Sequence, residues 1–172
     1  IKEFKWAQLC PEIFSGVQKN AVALFMIELL TKCLKQPEPN ADLFHFTEDI
    51  LLSLDAASAP VVANLPLFFA LHLAHFFGFR IDDNYSEINS YLDLQEGSFV
   101  SETPRHPHFL DDRQAFVVSQ LLKVQQPAEL ETIKLHHAFR RNLLYALETF
   151  YRLHLQDFGV MKTLPVLKEI LN

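Results

Sequence analysis

The segment KLHHAFRRNLLYALETFYRLHL, residues 134–155, decides the fold class. At ~100° per residue, Leu135, Phe139, Leu143, Ala146, Phe150 and Leu153 fall on one side of a helix. Lys134, His137, Arg141, Tyr145, Glu148 and Arg152 fall on the other, so the segment reads as a long amphipathic helix from Lys134 to about Leu155.

The same helical period recurs upstream. A helix is expected from about Asp112 to Val124, stopping at Pro127, with a short turn over residues 128–133. Between Ser58 and Phe77 lies a stretch apolar on nearly every side, kinked at Pro66 and ended by Gly78, which predicts a central helix packed by several neighbours. Asn40 is placed to cap a helix whose dry side is Leu43, Phe44, Ile50, Leu51 and Leu54. Its wet side is Asp42, His45, Glu48 and Asp49. Ser15 is the expected N-cap of a first long helix that runs through Ala21, Leu24, Phe25 and Leu30 and ends near Lys35, before Pro37 and Pro39.

Periodicity lapses between residues 80 and 112. There Tyr91–Leu94, Gln95-Glu96-Gly97 and Ser98–Val100 alternate around a glycine, as a small β-hairpin would, and residues 103–108 with Pro104 and Pro107 read as loop. Strands confined to one excursion imply an all-α fold: a helical bundle of about six helices over residues 1–172, forming a single domain.

Composition agrees with a packed domain. Of 172 residues, 49% are apolar, 16 are Phe and only 4 are Gly, which excludes disorder and repetitive fibrous classes. A formal net charge of −6 excludes a polycation that coats nucleic acid or lipid by bulk charge. Cys10 and Cys33 read as reduced thiols of a cytoplasmic protein rather than as a disulfide framework. Neither Ala21–Leu30 nor Val61–Phe79 offers the ~18 uninterrupted apolar residues of a membrane span. Starting at Ile1 without Met, the chain is expected to have residues upstream.

Charge is sorted along the chain. Residues 132–172 carry 6 Lys and Arg against 3 Asp and Glu, leaving 9 against 18 upstream. The basic stripe of the last helix is therefore the candidate docking site for phosphates or an acidic peptide. Its residues are Lys134, Arg141 and Arg152, with Arg140 at the edge, and Glu148 four residues before Arg152 is expected to neutralise it in part. Glu28 interrupts an apolar run, and a buried carboxylate needs a partner, for which Arg80 is expected to form a structural ion pair, with Lys32 as the alternative.

Histidines are the remaining candidates for chemistry. His72 and His75 lie one turn apart but lack the third and fourth ligands of a zinc site, so they read as core or boundary residues. His106 and His108 flank Pro107 as loop residues, and Asp42, His45 and Asp49 as a solvated face. No nucleophile elbow, phosphate-cradling glycine loop, HExxH or CxxC pattern occurs. The expectation is a non-catalytic binding module without metal or cofactor. Two rivals are a metal-dependent helical enzyme using His72, His75 and Glu28, and a helical peptide adaptor with no DNA role.

Three stretches carry a resemblance. Leu24–Leu34 followed by Pro37–Phe44, then Leu67–Phe79, and finally Leu164–Leu171 resemble, in order and spacing, the C-terminal helical domain of the bacterial RecO family. The resemblance implies an N-terminal OB-fold absent from this chain, which would contribute much of the DNA binding. It further implies a recombination mediator of the RecF pathway that binds single- and double-stranded DNA and anneals complementary strands. Its implied partners are RecR and the acidic C-terminal tail of single-stranded DNA-binding protein, on whose coated DNA it helps to load RecA. Many members carry four cysteines of a small zinc module where this chain has residues 80–112, an interval with no Cys.

Overall fold

A computed structural model describes residues 9–35 and 39–171; Pro37, the expected helix stop, lies outside the described residues. Seven α-helices occur among the described residues: α1 Pro11–Ser15, α2 Val17–Cys33, α3 Ala41–Ala56, α4 Ala59–Leu73, α5 Asp112–Lys123, α6 His137–His154 and α7 Thr163–Ile170. Two 3-10 turns, Ala74–Phe77 and Pro127–Thr132, follow α4 and α5, and three short strands fill the excursion.

The apolar stretch after Ser58 is the centre of the molecule. Val62, Leu65, Leu67, Phe69 and Leu73 of α4 are buried almost completely, against α2, α5, α6 and the Pro127–Thr132 turn. Each such side chain contributes roughly 1.5–3 kcal/mol relative to exposure. Averaged over its length, Ala59–Phe77 reaches a mean hydropathy of 1.5, enough by length and composition to cross a bilayer, although its apolar run is interrupted. Here 67% of that window is buried inside the fold, which accounts for its composition as a core helix. The helix continues through Pro66 before tightening into the 3-10 turn, and Gly78 ends it at φ +80°, a left-handed conformation that suits glycine.

Local capping follows the expectation at Asn40, adds an N-cap at Asp111 and departs from the expectation at Ser15. Asn40 Oδ1 accepts from the Leu43 N–H at 2.9 Å, and Asp111 Oδ1 accepts from the Gln114 N–H at 3.2 Å. Ser15 does not cap α2: it closes the short helix α1, donating its hydroxyl to Pro11 O at 2.9 Å, and Gly16 occupies the N-cap position. The α1 turn was hidden because five residues are too few to display a period.

The excursion is a three-stranded antiparallel sheet in the order β2-β1-β3, where β1 is Tyr91–Asp93, β2 Ser98–Val100 and β3 Phe109–Leu110. The expected hairpin pairs Leu92 with Phe99, and Gly97 turns it at φ +66°. A Cβ on Gly97 would stand 2.7 Å from Arg80 O, so the close approach of the two backbones also requires glycine. β3 pairs Leu92 with Leu110. It follows directly on the expected loop of residues 103–108, and a strand of two residues shows no alternation by which the sequence could mark it.

The last long helix begins at His137, three residues later than expected, with His136 Nδ1 accepting the Ala138 N–H at 3.3 Å as its cap. Its buried residues are Leu143, Leu144, Leu147, Phe150 and Tyr151, whereas Leu153 is 39% exposed. At 100° per residue this face is centred about a quarter turn from the expected one. Tyr151 anchors it, donating its hydroxyl to Ala70 O of α4 at 2.7 Å.

Candidate functional site

That quarter turn redistributes the basic stripe. Arg140 falls inside the buried arc of α6, and its guanidinium donates to Asn64 Oδ1 at 3.0 Å, Leu171 O at 3.3 Å and Leu135 O at 3.1 Å. Burial lowers its pKa from the usual arginine value. Arg140 is thus a structural tie between α4, α7 and the entry to α6, and its expected role as a partner-facing cation is corrected on that ground.

Arg141 and Arg152 stay on the polar side, only about 20° apart in angle, with Glu148 and His137 next to them on one flank. Arg141 is half-buried at a narrow cleft between α6 and α7, shared with His137, Tyr145 and Lys168. Arg152 is exposed in the last turn of α6. Glu148 does not pair with it: Glu148 Oε1 accepts the Met161 N–H at 2.6 Å, and among the described residues no ion pair forms to Arg141 or Arg152. Lys134 precedes α6 and lies on a different cleft, beside Phe116, Gln120 and Lys123 of α5. The expected stripe is therefore two surfaces.

Glu28 is bonded by groups other than the expected Arg80, and Lys32, the alternative, acts on it through its charge. Its carboxylate accepts the Lys162 N–H at 2.7 Å, the Thr163 N–H at 2.8 Å and the Thr163 hydroxyl at 2.6 Å. It caps α7 from across the chain, satisfying amides that a helix start leaves orphaned. Burial raises its pKa, but these hydrogen bonds and the charge of Lys32 outweigh that and hold it below the usual value. Arg80 instead pairs with exposed Asp82 at 3.2 Å, so the Glu28–Arg80 ion pair is corrected. The ion-pair expectation arose because position 28 looked buried; it is half-buried on the side of α2 that meets α7, where the Lys162 and Thr163 amides reach it.

His72 holds its ring 4.3 Å from that of Phe68, tilted by 41°, and lines a cavity of about 370 Å³ with His75, Arg80, Asp82 and Asp83. Its Nε2 is buried without a hydrogen-bond partner. Burial lowers its pKa, a backbone hydrogen bond with Leu121 opposes that, and the neighbouring His75 adds to the lowering. His106 is more than a loop residue: its Nδ1 accepts the His108 N–H at 3.2 Å, which leaves Nε2 to donate to Asp93 Oδ2 at 3.2 Å. Asp93 also accepts from the Gln95 and Glu96 amides at 2.8 and 3.2 Å. Among the described residues no group of three His, Cys, Asp or Glu side chains is placed to hold a metal ion. Cys10 and Cys33 are both free, and burial pushes the Cys33 thiol up to about 12.

A cleft of about 560 Å³ between α2 and α3 is lined by Leu30, Leu34, Leu43, Phe44 and Leu51. It is apolar and brings together no pair of groups suited to chemistry.

These features define a class first: a helical domain in which Arg140, Glu28, Asp93 and His106 are spent on the architecture, and whose remaining C-terminal cations are divided between two clefts. The family model for the C-terminal domain of recombination protein O matches residues 15–163. The chain belongs to that family. It is 29% identical over 157 residues to the DNA repair protein RecO of Bacteroides fragilis, covering 90% of this chain and 63% of the relative. To the DNA repair protein RecO of Porphyromonas gingivalis it is 30% identical over 174 residues, covering 100% of this chain and 70% of the relative. The corresponding figures for Flavobacterium johnsoniae are 30% over 173 residues, 99% and 69%. The chain thus spans about 63% of the length of the Bacteroides relatives. No solved structure matches it.

Proposed function

We propose that this chain is the helical part of a DNA repair and recombination mediator, which acts by holding DNA and protein partners together rather than by bond-breaking chemistry. The family match over residues 15–163, with relatives named DNA repair protein RecO, carries the reading. The proposed partners are RecR, the acidic tail of single-stranded DNA-binding protein, and DNA, in the cytoplasm; loading of RecA and strand annealing would follow from bringing them together. Support on this chain is the wet side of α6, where Arg141 stands beside Lys168 at a cleft and Arg152 follows three turns later. A guanidinium binds a carboxylate through two parallel hydrogen bonds, which suits an acidic peptide.

The test compares the acidic tail peptide with wild type and with Arg141→Glu/Arg152→Glu, alongside survival of DNA damage in a bacterium lacking its own RecO relative. Loss of peptide binding with helicity retained supports the α6 assignment. Undiminished binding in the variant removes α6 from the reading, and failure of the full-length protein to restore survival removes the repair role.

A further inference from the structure

We infer that the outer face of α2 is the two-fold interface of a homodimer, in which α2 packs antiparallel on the α2 of a second copy of this chain. The inference goes beyond the repair reading and does not depend on it.

The outer face of α2 is apolar where the solvent side of a helix is ordinarily polar. Val17, Leu24 and Ile27 of α2, Leu34 at its C-cap, and Phe14 and Phe44 on the flanking α1 and α3 are all between 44% and 70% exposed. Along α2 the outward positions are 17, 20, 24, 27, 31 and 34, alternating steps of three and four that keep a seam on one side of a helix. At Leu34 and Phe44 the seam runs into the apolar cleft between α2 and α3. These six apolar side chains expose on the order of 600 Å², the upper end of what a monomer leaves in one patch, and with a polar border the face approaches the ~800 Å² that each partner gives to a standard interface.

The seam matches its own reverse. About a midpoint between Phe25 and Met26, Leu24 mirrors Ile27, Asn20 mirrors Thr31 and Val17 mirrors Leu34. An antiparallel copy therefore sets apolar against apolar and polar against polar at every position, the self-complementarity that an isologous contact requires. The flank obeys the same operation. Leu43 and Phe44 near the start of α3 line the cleft with Leu30 and Leu34, whereas Asp55 near its end accepts the Ile13 N–H of α1 at 2.8 Å and, through its carbonyl, the Lys19 ammonium at 2.6 Å. α1 thus lies on the α3 side of α2, at the end opposite Phe44, and the two-fold brings Phe14 of the second copy to Phe44.

Charged groups bordering the seam are engaged within each copy. Glu28 caps α7, Lys32 donates to Phe158 O at 2.8 Å and Lys35 to Asp157 O at 3.5 Å. At the edge of the cleft Glu48 lies 3.9 Å from His45, and Asp42 and Asp49 stand on the other flank of α3, about 140–160° from Phe44. A foreign amphipathic helix also fits a groove, but its recognition does not call for a seam that mirrors itself.

Sedimentation velocity of the purified chain and of the full-length protein, each over the micromolar range, tests the assignment. Both should dimerise, and Leu24→Glu should weaken association about a hundredfold or more, because the two-fold places two carboxylates in one apolar seam. Circular dichroism of the variant should be unchanged, since Leu24 is exposed in the single chain. Register is read by cross-linking in a Cys10→Ser background. Val17→Cys and Leu34→Cys chains should form a disulfide when mixed, and Val17→Cys alone should not, its two copies standing about 25 Å apart along the seam. A chain that stays monomeric throughout that range overturns the assignment, as does a dimer that survives Leu24→Glu or a Val17→Cys chain that cross-links to itself, the mark of parallel pairing. A monomeric full-length protein overturns it too, and gives this face to residues upstream. The cross-link needs no charged variant, so the test holds even where Leu24→Glu fails to fold.

Discussion

The guanidinium of Arg140 donates from Nε to Asn64 Oδ1 at 3.0 Å, and Asn64 in turn donates its amide to Leu130 O and Ile133 O at 3.3 and 2.7 Å. Asn64 is only 1% exposed at the centre of α4, so this pair converts a polar interruption of the core helix into a junction of α4, α6, α7 and the Pro127–Thr132 turn. Every polar atom there must find a partner, because an unsatisfied buried group costs about 1–3 kcal/mol.

Replacing Arg140 by Leu should therefore cost about 2–3 kcal/mol, since three hydrogen bonds are lost and the Asn64 carbonyl is stranded. Arg141→Ala should change stability by less than about 1 kcal/mol. Urea midpoints of the two variants check this, and equal midpoints would contradict the structural role of Arg140.

Glu28→Gln removes the negative charge that caps α7 and should cost about 1 kcal/mol at neutral pH. The folded-state pKa is held below the ordinary value of 4.5, so the ionised form contributes fully above 4.5 and its contribution is lost as pH falls through the lower folded value. The difference between wild type and variant should shrink below pH 4.5 and be constant above it. A gap that widens on acidification would give the shift the opposite sign.

His72 carries the reverse charge change. Its folded pKa lies below 6.5, so the unfolded chain takes up a proton first and stability declines as pH falls below 6.5. His72→Phe preserves an aromatic ring beside Phe68 and removes the titration. Unfolding measured from pH 7 to 5 should show a flatter stability profile in the variant; parallel profiles would mean that His72 does not titrate differently in the two states.

The latch of the excursion should be local. His106→Ala loses the bond to Asp93 and the acceptor for the His108 N–H, so exchange of the His108 and Leu94 amides should speed up while amides of α4 stay protected. Asp93→Ala should be worse, by about 2 kcal/mol or more, because Gln95 and Glu96 lose their shared acceptor at a residue only 7% exposed. Uniform loss of protection in both variants would show that the sheet and bundle unfold as one unit.

Much of the candidate site could not be read along the chain. Lys134 shares the angular stripe of Arg141 and Arg152 in the sequence, yet the helix starts only at His137, and Lys134 lies instead on the cleft with Lys123 of α5. Net charge by region pointed to residues 132–172, but a regional sum cannot tell that Arg140 spends its guanidinium on Asn64, Leu135 and Leu171.

By itself the sequence determined the helical class, the capping by Asn40, the Gly78 stop, the hairpin of Leu92 and Phe99, and the family, since these rest on local period, cap chemistry and order along the chain. Tertiary structure alone decided which arc of α6 turned inward. A helix with Leu143, Leu144, Leu147, Phe150 and Tyr151 on one side and Phe139 and Leu153 on another has apolar residues over more than half of its circumference, and the period leaves its orientation open. The placement of α4 and α7 settled it, engaging Arg140 in three internal hydrogen bonds and leaving Arg141 half-buried at the α6–α7 cleft. Packing also gave Glu28 to the amides of Lys162 and Thr163, more than 130 residues away, for hydrogen bonding follows proximity in space and is blind to distance along the chain.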